Sequence, residues 1–225
     1  MTKGKKMKQA TCTNKKYEII EDDFISVGGE TVYRIRALKS FGNVKHGDLG
    51  GYVASYRNLD HLGDAWVFGD AQVFGDARVF GDARVFGDAQ VFGDAQVFGD
   101  AWVFSDAWVF GDARVFGDAW VFGEAQVFGD ARVFGDARVF GDARVFGDAW
   151  VYNQKSIITV LDIGSERGCL TIHKDDKISV RVNRGCFTEG ISEFLEAVES
   201  THGDNVHGKI YKALIDVAKI KFELD

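Results

Sequence analysis

Proline is absent from all 225 residues, and cysteine and methionine number only three and two. Without proline there is no stiff Pro-rich linker to separate domains. Cys12, Cys169 and Cys186 are odd in number and lack metal-ligand spacing. They read as free thiols in a reducing compartment rather than as a disulfide framework. No apolar run approaches the roughly 18 residues of a membrane span, so no membrane partner is expected. The basic start, MTKGKKMKQATCTNKK, has no apolar stretch behind it and is not a secretory signal. Residues 1–16 read as a disordered basic tail on a cytoplasmic protein. Histidine is missing from one long stretch: His46, His61, His173, His202 and His207 all lie outside residues 63–152.

That stretch holds fifteen consecutive hexads of the form Gly-Asp-Ala-x-Val-Phe, from Gly63–Phe68 to Gly147–Tyr152. The frame breaks at Ser105 (for Gly), Glu124 (for Asp) and Tyr152 (for Phe). The x slot holds Trp, Gln or Arg, and all five tryptophans sit in it. Glycine every sixth residue and repeated Val-Phe pairs disfavour helix. In a short strand alternate residues share a face, so Ala and Val go together, and x and Phe go together. Arg and Gln cannot all be buried unpaired. Ala and Val are therefore the core, x faces out, and Gly-Asp is a corner.

This hexad resembles the hexapeptide repeat of left-handed parallel β-helices. The resemblance implies three hexads per triangular coil, hence about five coils, with residues eighteen apart stacked about 4.8 Å from one another. The x slots then sort into three faces. The first reads Trp66, Arg84, Trp102, Trp120, Arg138. The second reads Gln72, Gln90, Trp108, Gln126, Arg144. The third reads Arg78, Gln96, Arg114, Arg132, Trp150. The first contains only Trp and Arg, the residues most enriched at binding hot spots, and is the candidate binding surface. The repeat carries six Arg against fourteen Asp and one Glu, net −9, while the flanks carry +2. Acidic charge is thus concentrated on the solenoid.

The flanks read as end pieces. Residues 17–62 predict an N-terminal β cap, with two strands meeting at Gly28-Gly29. Within it, GNVKHGDLGGYVASYRNLDHLGDAWV (42–67) resembles the cap of prophage-borne and bacterial hexapeptide-repeat proteins often labelled as transferases. An open solenoid end exposes unpaired strand edges, so a cap is physically required. Residues 153–225 predict a small C-terminal α+β domain. Its three strands are SIITVLDIG, GCLTIHK and ISVRVNRGCF, with a Lys174–Lys177 turn. A helix from Thr188 and a second helix after THGDN follow. This unit resembles C-terminal domains of phage-encoded proteins.

The expected architecture is mainly β: a left-handed parallel β-helix between a β cap and an α+β domain. Three functions remain open. The first is a non-enzymatic interaction scaffold, phage or prophage encoded by resemblance, with a host protein and further copies of itself as partners. A homo-oligomer, most simply a trimer, follows from fourteen outward Phe. The second is an acyltransferase. That family places a catalytic His on a coil or inserted loop, whereas these coils have neither, and only His61 lies beside the first coil. The third is an acidic nucleic-acid mimic or ligand binder. Near-identical hexads suit a rod better than a cleft, so the first reading is preferred. It carries no catalytic residue, metal or cofactor, and nucleic acid is not the favoured partner.

Overall fold

The computed structural model describes residues 15–175 and 179–224. Cys12 and residues 1–14 of the expected tail lie outside them, as do residues 176–177 of the expected turn and residue 178 of the expected third strand. Strands β1 (Tyr17–Val27), β2 (Glu30–Ala37) and β3 (Leu49–Val53) precede fifteen two-residue strands. These are β4 to β18, running from Trp66–Val67 to Trp150–Val151. Then come β19 (Ile157–Ile163), β20 (Gly168–Lys174), β21 (Val180–Arg184) and β22 (Phe187–Gly190). Helices α1 (Ile191–His202) and α2 (Val206–Phe222) end the chain.

The short strands form three parallel sheets with an eighteen-residue stagger. Trp102 registers with Arg84 and Trp120, Trp108 with Gln90 and Gln126, and Arg114 with Gln96 and Arg132. The three faces read from the sequence are the three faces of the prism. Every repeat Ala and Val is buried. The coils are joined by N–H to C=O bonds that repeat almost unchanged, for example Trp102 N–H to Ala119 O at 2.9 Å and Phe104 N–H to Val121 O at 3.0 Å.

Two features fix the corner residue. The repeat glycines sit at φ of +61° to +74°, where a side chain is strained. A Cβ at Gly99 would also lie 3.0 Å from the Gly117 nitrogen in the next coil. The Phe rings form three stacks, such as Phe74–Phe92–Phe110–Phe128 at 4.8–4.9 Å and nearly parallel. Stacking half-buries them, and Phe140 alone among the repeat Phe is exposed. The apolar surface expected to drive a trimer along the solenoid sides is therefore largely consumed within the chain.

The solenoid leaves an unpaired strand edge at each end. The x and Phe N–H groups of each coil bond to Ala and Val carbonyls of the next coil, whereas a Val N–H can point back, as Val79 N–H does in donating to Asn58 O at 2.8 Å. The cap supplies donors. The backbone of β3 and the residue after it donates to Ala71 O and Val73 O, at 2.9 and 3.0 Å. The Asn58 amide donates to Gly75 O and Ala77 O, at 3.0 and 2.9 Å. Lys16 Nζ donates to Ala65 O at 2.8 Å and Gly63 O at 3.3 Å. The cap thereby adds an irregular sixth turn, with β3 pairing parallel to Gln72–Val73 and Leu59 bridging Val79. Lys16, assigned to the tail from sequence, is instead completely buried. Burial lowers its pKa to about 8, against the pull of Asp60 and Asp64.

The other end is closed by an antiparallel sheet, β19-β20-β21-β22, with both helices packed on it. It has four strands, one more than expected. Residues 187–190 continue the meander beside β21, and helix begins only at Ile191, after Gly190. The second helix is capped by Asn205, whose side chain accepts from the N–H groups of His207 and Gly208.

Candidate contact surface

On the first face the outward residues form a single column. The Trp102 and Trp120 indoles stack 5.1 Å apart and 4° from parallel. The Arg84 guanidinium lies 5.3 Å from Trp102, and that of Arg138 lies 4.9 Å from Trp120. Each indole is also met edge-on by a Phe of the same face: Phe86 at 5.8 Å from Trp102 and Phe104 at 6.1 Å from Trp120. Faces and edges are thus held by neighbours set by the eighteen-residue stagger. A contact between exposed cation and ring contributes about 0.5–1 kcal/mol. Alongside, Asp64, Asp82, Asp100 and Asp118 form the opposite wall of a groove of about 450 Å³.

Trp66 was grouped with this column from sequence, and it occupies the same sheet, registering with Arg84. The cap covers it: it is 1% exposed, edge-on to Tyr17 and Phe41. It belongs to the cap core and offers nothing to a partner. The accessible column is Arg84, Trp102, Trp120 and Arg138. Conversely, Trp108 is the one exposed tryptophan, at 41%. It stands between Gln90 and Gln126 beside Asp88, Asp106 and Glu124. Trp150 stacks with Arg132 at 5.0 Å on the third face.

Among the described residues, only Asp70 and Asp82 of the repeat carboxylates accept hydrogen bonds, from Arg34 and from the Asp64 N–H. The repeat carboxylates therefore seldom accept hydrogen bonds, and the acidic ladders face solvent.

His61 lines a groove of about 410 Å³ with Tyr56, Asp60 and Arg78. Its ring stacks on Tyr17 at 4.6 Å, and Nδ1 accepts the Lys16 N–H at 3.2 Å. Burial, then the Lys16 charge, lowers its pKa. No local pattern marks His173, which is fully buried in β20. Its Nδ1 is 3.1 Å from Lys174 O and its Nε2 is 3.0 Å from Asn183 Nδ2. The same Asn183 amide donates to Arg144 O at 2.9 Å, joining the C-terminal sheet to the last coil. Burial pushes the His173 pKa down to about 4. The Cys169 thiol is pushed up by burial.

Four segments in two overlapping pairs, residues 71–87 with 77–93 and 125–139 with 137–153, match the YdcK beta-solenoid repeat model. The match covers regular coils only, so the chain is similar to that repeat in its solenoid. No curated protein sequence matches the chain. Among the described residues no helix is long and apolar enough to cross a membrane.

Proposed function

We propose that the protein is a non-enzymatic β-solenoid scaffold whose Arg84–Trp102–Trp120–Arg138 column is a contact surface for a partner protein. The stacked indoles between two guanidiniums carry this reading. Their side chains are ordered before any partner arrives, which lowers the entropy cost of association, and Trp and Arg dominate binding hot spots. The flanking carboxylates add a second charge sign that suits a polar rim. The resemblance of the cap to prophage-borne proteins points to a bacterial host protein in the cytoplasm as the partner.

The test is comparative capture from bacterial lysate by the immobilised full chain, read by mass spectrometry. A protein retained by the wild type and by Trp108→Gln/Trp150→Gln, but lost with Trp102→Gln/Trp120→Gln, supports the reading. Equal retention by both double variants overturns it. The transferase alternative has its own test: saturable coenzyme A binding by calorimetry, lost on His61→Ala, would replace the scaffold reading.

A further inference from the structure

The second helix carries two apolar seams. Gly208, Tyr211, Ile215, Ala218 and Phe222 are buried and build the C-terminal core. On the opposite side Val206, Ile210, Ala213, Val217 and Ile220 are all exposed, Val206 at 64% and Ile220 at 80%. Their spacing alternates four and three along the helix, which is the a/d pattern of a coiled-coil seam. A surface helix normally has one apolar stripe, facing its own core. A second stripe left in water is unpartnered.

We propose that this outer seam docks antiparallel against the same seam of a second copy of this chain. Charge complementarity selects both occupant and direction. In the antiparallel register that sets Ala213 against Val217 of the second copy, Lys209 falls beside Glu223 of that copy, twice by symmetry. Both residues are exposed, and among the described residues neither forms an ion pair within the chain. The half-buried Leu214 meets its own symmetry mate near the axis. A parallel pair would instead rely on Asp216 with Lys221. Lys221 Nζ is already committed, donating to Ile157 O at 2.7 Å and Gln154 O at 3.1 Å. In the antiparallel pair the two Asp216 carboxylates approach each other, a local repulsion that the flanking Lys–Glu pairs oppose.

The inference does not depend on the tryptophan column, so the two can fail separately. Sedimentation equilibrium of the full chain should show a monomer–dimer equilibrium. Ile210→Glu/Val217→Glu, at exposed positions, should leave circular dichroism unchanged and weaken the dimer by about 100-fold or more. Lys209→Glu should weaken it, and Lys209→Glu/Glu223→Lys should restore it, because only self-pairing recovers on a swap within one chain. Asp216→Asn should tighten the antiparallel pair, while loosening would reveal the parallel one and overturn the direction. A wild-type monomer at ~100 µM, no recovery in the double swap, or assembly lost with Trp102→Gln/Trp120→Gln rather than with the seam variant would overturn the proposal.

Discussion

Trp102 and Trp120, eighteen residues apart in sequence, lie face to face with centroids 5.1 Å apart. Their contact depends on phase as much as on identity. Removing one hexad between them, Gly111–Phe116, keeps both tryptophans and leaves fourteen equivalent hexads, one short of five full coils. It moves Trp120 onto the face of Gln96. The variant should fold with the same far-ultraviolet circular dichroism but lose the indole pair and partner capture. Removing Gly123–Phe128 instead should retain both, since it lies beyond the pair. Loss of folding in both deletions would mean that the coils are not interchangeable.

The indole pair should also be measurable as energy. A double-mutant cycle on Trp102 and Trp120, each changed to Gln, should give a coupling of about 0.5–1.5 kcal/mol in urea unfolding. The same cycle on Trp108 and Trp150, which sit on different faces, should give a value near zero.

Ser105 occupies a corner at φ +60° where the other repeats have glycine. Ser105→Gly should therefore stabilise the solenoid by roughly 1 kcal/mol. Gly99→Ala should destabilise it by at least that much, through the same strain and the 3.0 Å approach to Gly117. Thermal unfolding monitored by circular dichroism checks both signs.

Acid should attack the C-terminal end first. His173 is buried with its pKa lowered to about 4, whereas its ordinary value is 6.5. The unfolded chain binds the proton more readily, so this stability is complete above about pH 6.5 and is lost as pH falls through about 4. The effect is up to about 3 kcal/mol at this buried position. Relative to the intrinsic exchange rate at each pH, the protection of β20 and β21 amides should fall between pH 6.5 and 4. His173→Gln should flatten that dependence, and an unchanged pH profile would contradict the burial argument.

Much of the fold was legible because the chain states one rule fifteen times. Ala and Val alternate with polar slots, so the inward face follows from the strand period alone. The stagger is reinforced by every coil, and the three faces follow from it without any long-range information. The end pieces were read less well. The fourth strand of the C-terminal sheet, Phe187–Gly190, has a sequence that starts a helix equally well. It is strand because β21 offers it an unpaired edge, a choice outside any local window.

The sequence by itself determined the prism: which residues point in, where glycine is needed, and that Arg84, Trp102, Trp120 and Arg138 share a column. Those outcomes depend on local periodicity, which repetition makes unambiguous. Only the tertiary structure decided the ends. A parallel solenoid presents unpaired strand edges, with both N–H and carbonyl groups, at each end. Lys16 and Asn58 are drawn inward as donors at the first, and Asn183 and Thr171 meet the Arg144 backbone at the second. The same closure turned Trp66 from a surface residue into cap core. Burial there depends on segments far apart in sequence meeting in space, which no repeat unit records.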